Sequence, residues 1–404
     1  MSPPRPSDSP RAHDESNEML ILGLNALLVM LTILYSGAIW LFARGWNRLI
    51  PGRNERRPSV SVVLAARNES DAIGTCLRSL LQQRYSGRYQ VIVADDHSTD
   101  GTDGLVAELA EQNAAVKLIR IQAIPPGWAP KKFALSEAIA HSDGDVILTT
   151  DADCVAPPTW IEGMVRYFEP QIGIVAGLVT LDYPGIKRTL WTRLQNLELF
   201  SLFAAAAGGM ASGIVTASGG NLAYLRETYL QVGGLQAIRA LVSGDDDLLA
   251  QRMVSETGWK MRFSIDRGTI VTTRPHARLE DFFRQRRRWS SKATHQQPRN
   301  LFFLLLTFML NFSLAAAFIM AFILGRGAAV PLLCLAIKIF SELTLLSRGA
   351  RRMGLKGWLP VFPIWELVHI PYIVLMGFAG WSGDLRWKDR RFTGQKGIAT
   401  DARS

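Results

Sequence analysis

Two aspartates with one small residue between them, Asp151 and Asp153, close the run LTTDADC, whose first half reads as the end of a buried strand. An Asp-x-Asp in that position is a ligand set for a hard divalent ion such as Mg²⁺ or Mn²⁺. Such ions take oxygen ligands and commonly complete their shell with water and substrate phosphate oxygens. In isolation the same pair would read first as solvated loop residues, but other chemistry accompanies it. Asp95 and Asp96 end the run YQVIVADD, and Asp245, Asp246 and Asp247 stand in SGDDDLLAQRM ahead of an apolar helical pattern. One aspartate is enough to cap a helix and answer its dipole. Three in a row exceed that need, and such a cluster can also supply a carboxylate general base. Finally RQRRRWSSK, Arg284 to Lys292, puts four arginines and a tryptophan on about two helical turns. Guanidinium forks bind phosphate oxygens in pairs, and an indole face supports a sugar by stacking. A basic interfacial helix leading into the membrane is the blander reading, and different faces of one helix can serve both.

These groups need elements to bring them together. From Pro58 onward, Val- and Ile-rich runs (SVSVVLAA, YQVIVAD, AVKLIRI, DVILTT) alternate with helical patterns near residues 71–83, 102–112 and 132–141. That alternation predicts parallel βαβ units in an α/β sheet with helices on both faces. Ligands of such sheets bind at the carboxyl ends of the strands. Both acidic pairs therefore fall on one rim, where their mutual repulsion calls for a cation.

The chain has 404 residues, 48% of them hydrophobic, and a formal net charge of +10. The apolar residues gather at its two ends. Residues 1–18 are rich in Pro, Ser and charge and read as a disordered tail. Residues 19–43 carry no charge and are long enough to cross a bilayer, for which about 20 residues suffice. Arg44, Arg48, Arg53, Arg56 and Arg57 follow in a basic linker, 44–58, so the positive-inside rule places the middle of the chain in the cytoplasm. A soluble domain over 59–295 leads to a second membrane region, 301–380, of two or three segments, and a basic tail, 381–404. Three full crossings there would leave that tail outside, against the rule; a proline-interrupted last segment that is re-entrant, or that begins as an interfacial helix, would not, and the span count stays open. Glu366 and His369, one turn apart in that segment, are costly in lipid and suggest a mutual pair or a polar ligand. Cys76, Cys154 and Cys334 are odd in number and lack metal-ligand spacing, as suits a reducing compartment. No interleaved basic and aromatic motif supports a nucleic-acid partner.

Taken in order, AARNES, VIVADDHSTDGT, TTDADC, SGDDDLL and QRRRW resemble the membrane-bound family 2 glycosyltransferases, inverting enzymes that include ceramide glucosyltransferase and the cellulose and hyaluronan synthases. The resemblance covers about Ser59 to Lys292 and implies a nucleotide-diphospho-sugar transferase fold, a Rossmann-like, mostly parallel sheet flanked by transmembrane helices. It implies that Ala65, Arg67 and Glu69 line the nucleotide pocket and that Asp95 and Asp96 contact the uracil and ribose of a UDP-sugar. Lys131 and Lys132 stand near the donor, with Lys132 assigned to it. Asp151 and Asp153 would hold Mg²⁺ or Mn²⁺ and the diphosphate. Asp246 aligns with the catalytic base and Asp245 with the acid before it. The common pair there is Glu-Asp, so which carboxylate acts is open. Gln285, Arg288 and Trp289 match the Gln-x-x-Arg-Trp element at the acceptor and leaving diphosphate, and Gly220 and Asn221 the acceptor-side loop. His97 and His141 read as turn and helix-end residues, and His276 as a flank of the acceptor path. The implied reaction is sugar transfer to a lipid or lipid-linked hydroxyl at the cytoplasmic face of the inner (plasma) membrane. A processive polysaccharide synthase and a catalytically silent sugar-nucleotide-binding scaffold are the alternatives.

Overall fold

The computed structural model describes residues 10–355, 357–380, 384–387, 390–393 and 399–401. The first element, α1 (Pro10–Gly45), begins inside the stretch expected to be a loose tail and continues without a break through the apolar anchor. The soluble domain opens with β1 (Val60–Ala66), α2 (Ser70–Leu81), β2 (Tyr89–Asp95), α3 (Thr102–Gln112), β3 (Val116–Arg120), α4 (Pro130–Ala140) and β4 (Val146–Thr149). It continues with α5 (Trp160–Val165), β5 (Ile172–Ala176), β6 (Val179–Thr180), α6 (Leu190–Gly209), β7 (Leu222–Leu225), α7 (Arg226–Gln231), α8 (Asp247–Glu256), β8 (Lys260–Phe263), β9 (Val271–Thr272) and α9 (Leu279–Ser290).

Seven strands pair in the order β3-β2-β1-β4-β7-β5-β8. All neighbours are parallel except β7, which runs against both β4 and β5. The central strands bury nearly every side chain, as a sheet covered on both faces requires. Between β1 and β4 the winding reverses: β2 and β3 lie on one side of β1, β4 on the other. The loops after these two strands diverge and open a crevice at their carboxyl ends. One carries Arg67 and Glu69, the other Asp151 and Asp153. Because β7 is antiparallel and Leu222 sits opposite Thr149, the chain just before β7 passes beside the end of β4.

Beyond the domain, α10 (Pro298–Leu324) and α11 (Ala329–Met353) form an apolar hairpin packed on α1. Leu28, Leu31, Tyr35, Ile39 and Phe42 of α1 are buried in this bundle, while Leu22, Met30, Ile33 and Leu41 point outward, as lipid-facing residues do. The anchor also docks on the soluble domain. Gly45 and Gly208 let the backbones of α1 and α6 touch: a Cβ at Gly208 would lie 2.3 Å from the Phe42 carbonyl oxygen. Trp46 Nε1 donates to the Ala204 carbonyl at 3.0 Å.

The last apolar helix, α12 (Phe362–Ala379), is, like α1, α10 and α11, long and apolar enough to span a membrane. It is nonetheless fastened along its length to the soluble domain. Just before it, Trp358 Nε1 donates to Asp182 at 3.3 Å; midway, the Tyr372 hydroxyl donates to Glu198 at 2.8 Å; just after it, Gly380 packs against Ser290. α12 is thus shared between the helical bundle, where it packs on α10, and the soluble domain, where it meets α6 and α9. Its outer face, Ile364, Leu367, Leu375 and Phe378, is exposed and apolar, while Glu366 and His369 are buried on the inner face. Within the expected basic tail, β10 (Asp384–Trp387), β11 (Arg390–Thr393) and β12 (Ala399–Asp401) form an antiparallel meander.

The suspected intramembrane pair is part of a larger cluster. Lys338 of α11, fully buried, donates to Glu366 at 2.9 Å, lies 3.0 Å from Glu342 and 3.1 Å from His369 Nδ1, and Tyr35 donates to Glu342 at 2.7 Å. Three helices, α1, α11 and α12, are thereby tied by one polar knot.

Candidate active site

Asp151 and Asp153 leave β4 on a tight turn, and their carboxylates, with the Cys154 sulfur, lie within 4.8 Å of one another. Burial, with the neighbouring aspartates, pushes the Cys154 thiol well above its ordinary range, so it stays neutral. The two carboxylates are then the groups that could hold a divalent ion, and their oxygens suit a hard one such as Mg²⁺ or Mn²⁺. Gly220, preceding β7, closes this corner: a Cβ there would lie 3.4 Å from Asp151 Oδ2 and 3.3 Å from Cys154 Sγ. The glycine expected on the acceptor side thus lets the chain pass against the turn that carries Asp151 and Asp153.

Across the crevice stands the loop before α8. Lys131 Nζ is 2.8 Å from Asp151 Oδ1 and 3.1 Å from Asp245 Oδ2, so a single ammonium joins the two acidic clusters. Lys131, Asp151, Thr150, Gly219 and Asp245 line one small cavity. Burial acts to raise the Asp245 pKa, but Lys131 outweighs it and the carboxyl sits below its ordinary value. Asp246 is the N-cap of α8. Its Oδ1 accepts from the Asp247 amide at 2.7 Å and its Oδ2 from the Gly219 amide at 3.0 Å, with Lys292 at 3.4 Å. Burial opposes ionisation of Asp246, yet Lys292 and these amides prevail and hold it below the usual carboxylate range. Asp247 is turned inward to Lys292 at 2.8 Å and Gln296 at 3.0 Å, and burial raises its pKa to about 6. The side chain of Asp246 is 20% exposed, against 6% for Asp245 and 5% for Asp247. Asp246 is therefore the most accessible of the three carboxylates.

Two expected site residues serve the frame instead. Lys132 is buried and donates to the carbonyls of Ile238 and Ser243 at 2.8 and 2.9 Å; burial lowers its pKa to about 8. It holds the loop before the aspartates, and its neighbour Lys131 faces the carboxylates. On α4, adjacent positions point in different directions, and helix periodicity alone did not show which faced the crevice. Asn221, fully buried, accepts from Trp160 and donates to the carbonyls of Leu178 and Thr269, pinning β7 rather than lining the acceptor side.

On α9 the roles also divide. Arg286 is buried in an ion pair with Glu198, the residue that Tyr372 of α12 reaches, and its guanidinium lies 4.5 Å from the Phe282 ring and 4.2 Å from that of Trp289. Trp289 thus supports an arginine with one face. Arg288 is near enough to Lys131 to work against its protonation. Gln285 hydrogen-bonds to Arg286 and to His276, whose imidazole also senses Asp153; burial lowers the His276 pKa.

At the nucleoside end, Ala65 lies near the end of β1 opposite Ala94, and Glu69 precedes α2, its amide bound by Thr102 at 2.8 Å. Arg67, 8% exposed, donates to the Asp96 carbonyl at 2.8 Å. Asp95 Oδ2 accepts from the Ser98 amide at 3.1 Å. The neighbour of Asp96 that sequence reasoning missed is Arg390 of β11, which pairs with its carboxylate. It lies 294 positions away in a stretch whose composition reads only as basic.

A mostly parallel sheet with acidic pairs along its carboxyl rim and apolar helices on either side defines a nucleotide-sugar transferase fold attached to membrane helices. The chain belongs to glycosyl transferase family 21, whose model matches residues 25–399. It is 32% identical to the beta-monoglucosyldiacylglycerol synthase of Synechocystis sp. over 144 residues, 35% of this chain and 29% of that protein. The match to the Nostoc sp. protein of the same name is 30% over 183 residues, 45% of this chain and 37% of that one. The chain thus spans about a third of the length of these curated relatives. The probable glycosyltransferase YdaM of Bacillus subtilis is 29% identical over 293 residues, 68% of this chain and 66% of its own. The fold is similar to that of the mannosyltransferase PcManGT from Pyrobaculum calidifontis, solved with GDP-Man and Mn²⁺, at a TM-score of 0.56 and 22% identity over 83% of this chain and 99% of that one.

Proposed function

We propose that this chain transfers a hexose from a nucleotide-diphosphate sugar, a UDP-sugar by the resemblance of its pocket, to a hydroxyl of a membrane lipid. The observation that carries the reading is the convergence of Asp151, Asp245 and Asp246 on one crevice, joined by Lys131, beside a helix that leads into the bilayer. Asp151 and Asp153 would hold Mg²⁺ or Mn²⁺, which when bound neutralises charge growing on the leaving diphosphate. Lys131 and Arg288 supply further positive charge on the same side of the pocket. Asp246, kept ionised by two amides and Lys292, retains free lone pairs to accept the hydroxyl proton. Attack from the face opposite the diphosphate inverts the anomeric centre in one displacement. The matches to diacylglycerol glycosyltransferases support a lipid acceptor, and the arginines flanking α1 and ending α11 support a cytoplasmic site.

The test is incubation of the full-length protein in lipid nanodiscs with a panel of nucleotide sugars and Mg²⁺ or Mn²⁺, followed by mass spectrometry of the lipid fraction. A monoglycosylated lipid with matching nucleoside diphosphate release is the expected product. A long glycan would replace this reading with a polymerising synthase, and no diphosphate release with a silent scaffold.

A further inference from the structure

The C-terminal meander reaches back to the nucleoside end of the crevice. Arg390 Nη1 lies 2.6 Å from Asp96 Oδ2 and its Nη2 3.2 Å from Oδ1, the two-pronged geometry of an arginine–carboxylate pair. Both partners are buried, Asp96 at 1% and Arg390 at 8% exposure. Asp96 Oδ1 also meets His97 Nδ1 at 3.0 Å and Arg67 Nη1 at 4.0 Å. In the same group of loops, Asp95 Oδ1 and Arg67 Nε are buried without a hydrogen-bond partner among the described residues, one acceptor and one donor. A base edge that offers both an N–H and a carbonyl would satisfy such a pair of orphans. The strand hydrogen bonds of the meander are internal to it, so Arg390 is a tie between it and the sheet. Its first strand, β10, packs on α9, which carries Gln285, Arg288 and Trp289.

We propose that Arg390 is a positioning residue of the donor site: it fixes the Asp96 carboxylate toward the nucleoside, and the meander is thereby a wall of the nucleotide pocket. The proposal rests on the glycosyl-transfer reading. A carboxylate this deeply buried that loses its partner is free to turn toward Arg67, and that change removes an acceptor of fixed direction. The guanidinium holds both oxygens in one plane and leaves their outer lone pairs aimed. One element then contacts the nucleoside through Asp96 and the diphosphate side through α9, so donor binding and the acceptor helix share a support drawn from the far end of the chain.

The experiment compares the wild type with Arg390→Ala and Arg390→Lys as full-length proteins in nanodiscs. Calorimetry with UDP, GDP and inorganic pyrophosphate is combined with steady-state kinetics over donor concentration and a thermal melt. Arg390→Ala should weaken binding of the preferred nucleoside diphosphate about tenfold and raise the donor KM in parallel, with kcat at saturating donor changed less than about twofold. Pyrophosphate, which lacks a nucleoside, should bind as before, and lysine should restore part of the loss. Unchanged nucleotide binding in Arg390→Ala overturns the proposal, and tighter binding does too, because the guanidinium would then be standing in the nucleoside's place. Equal weakening toward pyrophosphate overturns it as general damage. A wild type that binds no nucleoside diphosphate removes the glycosyl-transfer reading and this one with it; a wild type that binds normally isolates the fate of Arg390.

Discussion

Asp245, Asp246 and Asp247 are consecutive, yet one is paired with Lys131, one is bound by two amides, and one is turned into the protein toward Lys292. Replacing Asp246 by Ala should lower kcat about a thousandfold, the worth of a positioned base, with little change in nucleotide affinity. Asp245→Asn should instead weaken donor binding, since it frees Lys131 from one of its two anchors; equilibrium binding separates the two effects. Asp247 gives a pH signature. Burial lifts its pKa from 3.8 to about 6, so the folded state binds the proton more tightly than the unfolded one. Its contribution to stability is then greatest below about pH 4 and falls as the pH rises to about 6. Asp247→Asn should flatten that fall, and denaturant melts of both proteins across the interval measure it. The acidic residues of this site were legible in the sequence because carboxylates at strand ends and helix starts have few structural substitutes. Lys132 and Asn221 misled because a residue beside a motif may face either way, and only packing decides.

Alternating Val-rich runs and helical periods predicted the parallel sheet with its rim, and the crevice lies where the strand order reverses. What periodicity could not supply was β7 as an antiparallel insert, since its four residues carry no direction in their composition. In the membrane region the knot around Lys338 makes a different demand. Lys338→Met would leave Glu342 and Glu366 buried without their shared cation, a loss of about 3–5 kcal/mol for a broken buried pair. The thermal melt of the reconstituted protein should fall sharply, and Glu342→Gln combined with Lys338→Met should recover part of the loss. If the single variant melts like the wild type, the three helices are held by apolar packing alone.

For the whole molecule, four of the described helices are long and apolar enough to cross a membrane, and Arg390 of the meander pairs with Asp96 of the soluble domain, so these two share a side and three crossings, by α1, α10 and α11, are the expectation. Cysteines introduced at Gly357 and Thr400 should react with an impermeant maleimide from that side, and one at Ala328, in the turn between α10 and α11, from the other. Vesicles of both orientations provide the measurement, and the native thiols, all buried, give little background. Labelling of Gly357 and Thr400 from opposite sides would make α12 a fourth crossing. Composition showed where the apolar segments are but not what each packs against, because Trp358, Tyr372 and Gly380 meet the soluble domain through contacts that no periodicity encodes.

That helix has a consequence for handling the protein. The outward residues of α12 are apolar and exposed, a face suited to lipid, and its inward Tyr372 props Glu198 and Arg286 under Trp289. A detergent micelle replaces a flat, laterally compressed layer with a small curved one and leaves that prop unloaded. Turnover lost on solubilisation and regained on reconstitution, without unfolding in between, would mark the bilayer as part of the scaffolding that keeps the catalytic groove in shape.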